Sequence, residues 1–136
     1  MQIRLFTMND YDAVTALWAR AGLLSGRSDE RPEIKKKLTR DPDLFLLGVE
    51  EGRIVAAVMG SFDGRRGWVN HLAVDPDRHG QGLGAALLGE LECRLRTKGC
   101  IKLNLLIEPD NARVEGFYRR QGYANDTLLF MEKWLD

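Results

Sequence analysis

Apolar residues recur at two different periods along this chain, and the switches between them divide it into strands and helices. Ile3 to Phe6 predicts a short strand, and Thr7, Asn9 and Asp10 are residue types suited to capping the helix that follows. Val14, Leu17, Trp18 and Ala21 form the apolar stripe of that helix, and Gly22 is a suitable stop. Asp29 to Arg40 predicts a second, charged helix with Pro32 in its first turn and Ile34 and Leu38 facing inward. By default its remaining charges form a solvated face. Three strand-like runs come next, Leu44 to Val49, Ile54 to Met59 and Trp68 to Val74. The short turns at Glu51-Gly52 and Asp63-Gly64 that join them argue for an antiparallel meander.

After Val74 the pattern changes. Asp75-Pro76-Asp77 breaks the strand, and a glycine-rich loop leads into a long helix carrying Leu83, Leu87, Leu91 and Leu95 at i, i+4 steps. That helix runs to about Lys98 and ends at Gly99. Lys102 to Ile107 predicts a strand, Asn111 to Gln121 a helix closed by Gly122, and Thr127 to Lys133 a last strand. The order β-α-α-β-β-β-α-β-α-β predicts an α/β fold, with a mixed, mostly antiparallel sheet and helices on both faces. A pure βαβ repeat does not give this order.

A chain of 136 residues fits one domain, residues 1–136, and 44% hydrophobic content is enough for a core. Twenty basic and 20 acidic residues cancel, so the whole molecule offers no field for steering a polyanion, and no nucleic-acid partner is expected. Two cysteines, Cys93 and Cys100, and two histidines, His71 and His79, have no metal-ligand spacing, so no metal is expected. The chain contains no run of signal-peptide or membrane-spanning character, which points to the cytoplasm and away from a membrane.

The candidate chemistry lies in His79-Gly80-Gln81-Gly82-Leu83-Gly84-Ala85. Glycines let a backbone approach a ligand closely, and a helix N-terminus presents unpaired N–H groups to negative charge. A phosphate or pyrophosphate is the natural guest. The run also satisfies the dinucleotide pattern GxGxxG/A, with Glu108 near the expected place of a ribose-binding acid. That reading fails on context. Asp75 to His79 separate the strand from the first glycine, the upstream strands are antiparallel, and too little chain remains for further βα units. A nucleotide-triphosphate loop is excluded because GxxxxGK[ST] does not occur.

Leu72-Ala73-Val74-Asp75-Pro76 followed by Arg78-His79-Gly80-Gln81-Gly82-Leu83-Gly84-Ala85 resembles the acetyl-CoA signature of the GNAT superfamily of N-acetyltransferases, Q/R-x-x-G-x-G/A after a strand ending in L-x-V-x-P. A second block, Asn111-Ala112-Arg113-Val114 through Phe117-Tyr118 to Gln121-Gly122-Tyr123, is similar to that family's N-x-x-A-x-x-F-Y-x-x-x-G-F helix. The two blocks stand in the family's order, and the compact size is similar to its stand-alone bacterial YpeA-type members. His79 departs from the usual Gln or Arg, and Val114 from the usual Ala.

The resemblance implies a centrally splayed sheet and an acetyl-CoA-dependent transfer of an acetyl group to a primary amine of a small molecule, peptide or protein; the sequence leaves monomer and homodimer both open. It implies that His79, Gly80, Gln81, Gly82, Leu83, Gly84 and Ala85 hold the CoA pyrophosphate. Leu72, Ala73 and Val74 would lie along the pantetheine arm, with a backbone N–H near Val74 polarising the acetyl carbonyl. Asn111 would bond the arm as well. Tyr118 would be the general acid that protonates the leaving thiolate.

The base is left open among His71, Glu108 and water. Leu106 stands where some relatives of that family carry a Glu, and Glu108 fits a solvent-exposed strand end. His71 is of a type that titrates near neutral pH, but its alternation with Val69 and Ala73 suggests a core or supporting position. The acceptor pocket is expected from residues 20 to 33, which include Leu23, Leu24, Ser25, Arg27 and Asp29. This mixture does not choose among peptide N-termini, lysines, polyamines, amino acids and drugs. A second function class, a non-catalytic acyl-CoA-binding or sensing module, would keep the same cradle without turnover.

Overall fold

The computed structural model describes all 136 residues, in two compact units, Met1–Leu106 and Ile107–Asp136. The first unit carries a five-stranded sheet in the order β1-β2-β3-β4-β5. Its strands are β1 (Gln2–Leu5), β2 (Phe45–Glu50), β3 (Arg53–Phe62), β4 (Gly67–Val74) and β5 (Leu103–Leu105). The first four pair antiparallel and β5 runs parallel to β4, which is the mixed sheet that the alternation predicts.

Three helices belong to this unit: α1 (Tyr11–Arg20), α2 (Arg31–Arg40) and α3 (Leu83–Thr97). Val14, Leu17 and Trp18 of α1 and Ile34 of α2 pack with Phe45, Leu47, Ala57, Met59 and Ala73 in one core cluster. A strand sends alternate side chains to opposite faces, so Ala56, Val58 and Gly60 point away from that cluster. Gly60 explains how α3 fits on this second face. A Cβ added there would meet Leu91 Cδ1 at 2.4 Å, so the helix lies closer than any side chain at 60 would allow. Leu87, Leu88, Leu91 and Leu95 of α3 are all buried.

The second helix begins at Arg31, two residues later than the apolar pattern indicates, because Asp29 closes a separate helical turn at Arg27–Asp29. Its charges are not all solvated. Lys37 Nζ bonds Asp41 Oδ2 at 2.8 Å, Ser61 Oγ at 3.0 Å and the Gly60 carbonyl, pinning α2 to β3. Burial lowers the Lys37 pKa, and Asp41 opposes that shift.

Two features of the sheet matter for function. Pairing between β4 and β5 covers only Gly67↔Leu103, Trp68↔Asn104 and Val69↔Leu105, whereas β4 continues to Val74. One edge of β4 is therefore unpaired after Val69. In addition, Met59 faces Asn70 but Ala57 faces Ala73, so β4 carries one extra residue between Asn70 and Ala73. This is a β-bulge, and His71 within it has a left-handed φ of 51°.

In the second unit, the predicted helix from Asn111 is divided. A tight helical turn covers Pro109–Val114, Asn111 inside it has non-helical angles, and α4 covers only Glu115–Arg120. Gly122, at φ 94°, ends it as expected. The predicted last strand, Thr127 to Lys133, is not formed. Leu128, Leu129, Phe130 and Met131 are all exposed, so neither face of the segment is covered. Alternation can mark a segment as suited to a sheet, but a strand exists only where a neighbour completes its hydrogen bonds.

Candidate functional site

The glycine loop after β4 is built to leave donors free. Asp75 closes the strand, with its N–H bonded to the Val55 carbonyl at 2.8 Å. Its buried carboxylate accepts from the Asp77 N–H at 2.9 Å and from Arg20 Nη2 at 2.6 Å. The Asp77 N–H bond, and then Arg20, hold this carboxyl below the usual aspartate range against the effect of burial. The strand exit is thereby fixed before the loop begins.

Gly80 and Gly82 both take left-handed angles, with φ of 80° and 77°. Gly82 is the N-cap of α3 and supplies no capping side chain. The first internal bond at this end of α3 is Ala86 N–H to the Gly82 carbonyl, at 3.0 Å. The N–H groups of Leu83, Gly84 and Ala85 lie in the first turn, which has no helical acceptor of its own. A Cβ placed on Gly80 or Gly82 would meet nothing within 4 Å, so the space over the loop is open. Gly80, Gln81 and Gly82 are exposed, while Gly84 is buried under the helix start. His79 Nε2 donates to the Val74 carbonyl at 3.2 Å.

That last contact also fixes how the strand end is oriented. Asp75 donates to Val55 across the β3 side, so the N–H and carbonyl of Val74 point the other way. The Val74 backbone faces the edge that β5 leaves unpaired. Leu72 and Ala73 lie on the same open stretch, with Ala73 buried and Leu72 half-buried.

At the bulge, His71 meets the turn before α2. Its Nε2 lies 2.9 Å from Asp29 Oδ1, and its ring packs edge-on against Trp18 with centroids 4.8 Å apart. Asp29 Oδ2 accepts from the Gly26 N–H at 3.0 Å, and the Tyr11 hydroxyl donates to the Asp29 carbonyl at 2.7 Å. Burial pushes the Asp29 carboxyl up, but the bonds from His71 and Gly26 outweigh it and the net direction is down. Trp18 is buried and its Nε1–H has no hydrogen-bond partner.

This arrangement corrects the sequence reading of His71. The bulge breaks the alternation: Val69 pairs with Gly60 on the α3 face, whereas Ala73 pairs with Ala57 on the α1 face. His71 is thus not a third member of one row. Its link to Asp29 joins residues 42 positions apart, and no spacing rule connects them.

In the second unit, Asn111 Oδ1 is buried without a hydrogen-bond partner. Tyr118 stacks edge-on with Phe117 at 5.2 Å and with Tyr123 at 5.7 Å. Burial pushes its pKa up to about 12, so the phenol is protonated throughout the neutral range. Glu108 caps the turn at Pro109 and is exposed. No group of three or more His, Cys, Asp or Glu side chains could hold a metal ion, and no helix is long and apolar enough to cross a membrane.

Comparison with known proteins agrees with the local features. The model of the Acetyltransferase (GNAT) family matches residues 11–123. An acetyltransferase of Pectobacterium atrosepticum is 43% identical over 135 residues, covering 99% of this chain and 96% of that protein. The crystal structure of an aminoglycoside antibiotic 6'-N-acetyltransferase from Acinetobacter haemolyticus shares the fold, with a TM-score of 0.80 at 16% identity over 100% of both chains. So does the PaiA N-acetyltransferase of Thermoplasma acidophilum, crystallised in complex with coenzyme A, with a TM-score of 0.79 at 17% identity over 93% of this chain and 91% of that one.

Proposed function

We propose that this chain, which belongs to the GNAT acetyltransferase family, uses acetyl-CoA to acetylate a primary amine on a small molecule, peptide or protein. The observation that carries the reading is the uncapped first turn of α3 behind two left-handed glycines, beside a strand edge left unpaired beyond Val69. A pyrophosphate suits the first feature and an extended amide-bearing arm the second. The coenzyme A in the complex of the Thermoplasma acidophilum protein supports the same choice of ligand.

In this reading the N–H groups of residues 80–85 hold the CoA phosphates by charge-assisted hydrogen bonds, reinforced by the dipole of α3. Leu72, Ala73 and Val74 pair with the pantetheine arm along the open edge, and the outward Val74 N–H polarises the acetyl carbonyl. The buried, unpartnered Asn111 Oδ1 suits an amide N–H of the same arm, since an orphaned buried acceptor costs about 1–3 kcal/mol. His79, whose Nε2 lies at the Val74 carbonyl, belongs to the same cradle and gives it less side-chain help than the family's usual Gln or Arg. Tyr118, protonated at neutral pH, supplies the proton to the departing thiolate.

Residues 1–136 are read as one catalytic domain, in the manner of the YpeA-type members, working in the cytoplasm as a monomer or homodimer. Two free cysteines, Cys93 and Cys100, fit a reducing compartment. Thermal unfolding with acetyl-CoA, CoA, NAD(H) and ATP tests the proposal. A ligand present at 100 times its Kd stabilises the fold by about 2.7 kcal/mol. A raised Tm with acetyl-CoA and CoA alone is the expected result, and no shift with either overturns it.

A further inference from the structure

The acetyltransferase reading leaves the proton of the acceptor unassigned. A primary amine arrives largely as ammonium at neutral pH and must lose a proton before its nitrogen can attack. A group with a free lone pair beside the open edge of β4 is placed to take it.

His71 has that position and that lone pair. It sits in the bulge, two residues past Val69, where pairing with β5 ends. Its Nε2 faces Asp29 Oδ1 at 2.9 Å. An ionised carboxylate only accepts hydrogen bonds, so Nε2 must carry the hydrogen and the other ring nitrogen, Nδ1, is left basic. Nothing in the protein occupies Nδ1, and the side chain remains 27% exposed while Asp29 is 10% exposed. This is the pattern of a base whose tautomer and orientation are set by a buried acid on its far side.

The backbone supplies a second, independent observation. A φ of 51° is a conformation that glycine adopts freely and that a side chain makes costlier. The bulge could be built more cheaply with glycine at 71, so the imidazole is retained at a cost to the fold. Strain of this kind collects at functional positions. Trp18 against the ring and the Tyr11 hydroxyl on the Asp29 carbonyl hold both partners in place.

We propose that His71 is the general base of the transfer, its Nδ1 taking the ammonium proton of the acceptor while Asp29 positions the ring through Nε2–H. This rests on the acetyltransferase function proposed above. The freed amine nitrogen forms the C–N bond to the acetyl carbonyl carbon, and the C–S bond breaks with its electron pair leaving on sulfur. Tyr118 protonates the thiolate, giving CoA-SH, the second amine proton returns to the Tyr118 phenolate as the amide forms, and the His71 imidazolium releases its proton to water. Asp29 is a positioning residue. Of the titratable groups on the elements packed here, Asp29 bonds the imidazole, Tyr11 bonds the Asp29 backbone, and Arg31 lies over the Tyr11 ring at 4.4 Å.

Two measurements test the proposal. Imidazole nitrogen NMR of the full chain should find neutral His71 with its hydrogen on Nε2 and Nδ1 bare, and Asp29→Asn should mix the two tautomers. Thiol release from acetyl-CoA is then followed with spermidine, an aminoglycoside and an alanine-initiated peptide as acceptors. His71→Gln keeps a donor for Asp29, and His71→Asn suits the left-handed backbone. Both should lower kcat by about 100-fold or more, with the acetyl-CoA Tm shift retained. A hydrogen on Nδ1 would overturn the assignment. So would turnover within threefold of wild type in either variant. If the wild type fails to bind acetyl-CoA, the acetyltransferase reading itself falls, which is a separate outcome from these.

Discussion

Gly82 offers a way to separate the shape of the cradle from its charge. The residue caps α3 at φ 77°, and a side chain added there has nothing within 4 Å to clash with. The cost to the fold is therefore conformational: about 1–2 kcal/mol for an ordinary L-residue in this region, and least for Asn or Asp. Gly82→Asn and Gly82→Asp place side chains of equal size and shape in the same open space. They differ by one negative charge. For a carboxylate about 5 Å from one phosphate charge, Coulomb's law gives about 0.8 kcal/mol in water and about 3 kcal/mol at an effective dielectric of 20. The Asp variant should then bind CoA about fourfold to a few hundredfold more weakly than the Asn variant, at 1.4 kcal/mol per factor of ten. Titration calorimetry on both variants at low salt measures this difference, and melting of the unliganded proteins shows that both are folded. Added salt should narrow the gap, since screening acts within about 10 Å at 0.1 M. Equal CoA affinity in folded Asn and Asp variants would refute an anion site at the start of α3.

Two further outcomes follow from the titration behaviour. Tyr118→Phe keeps the ring packing against Phe117 and Tyr123 but removes the proton, so kcat should fall by about 100-fold or more while acetyl-CoA affinity, read by Tm shift, is unchanged. Near-normal turnover in that variant would remove Tyr118 from the reaction. Asp10, Asp29, Asp43 and Asp75 all have pKa values held below the aspartate reference. The folded state binds fewer protons there than the unfolded chain, so this stability is present above about pH 3.9 and is lost as pH falls through the lowered values. Urea unfolding midpoints should be flat from pH 7 to 5 and fall steeply below 4, and a midpoint unchanged at pH 3 would contradict the ion-pair geometry.

The parts of the fold that were legible in the sequence are those fixed by local chemistry. Pro32 starts α2, Gly22, Gly99 and Gly122 end their helices at positive φ, and the glycine loop sits where a strand turns into α3. The strand Thr127 to Lys133 failed for the converse reason. Leu128 and Phe130 alternate as strand residues do, but pairing is a relation between segments, and composition within one of them cannot supply it. The candidate cradle was readable because its chemistry is mostly backbone, and glycine spacing reports backbone directly. The His71–Asp29 pair was not, because it depends on which face His71 occupies and that was set by a bulge with no marker of its own. A glycine would have signalled a positive φ; here the sequence carries histidine.

That bulge ties the two halves of the proposed chemistry together. An extra residue between Asn70 and Ala73 shifts the phase of everything after it by one position. In an unbroken strand, Val69, His71 and Ala73 would share a face, and the ring would be committed to the same side as Val69, which pairs with Gly60 under α3. The insertion instead places Ala73 with the α1 and α2 cluster and delivers His71 to Trp18 and Asp29. It also sets the direction of the strand end, since the pairing of Ala73 with Ala57 and Asp75 with Val55 is what turns the Val74 N–H outward. The proposed donor for a carbonyl oxygen and the proposed acceptor for an amine proton are therefore both positioned by one local irregularity. In the proposed mechanism, the register of β4 after Asn70 matters as much as either side chain it positions.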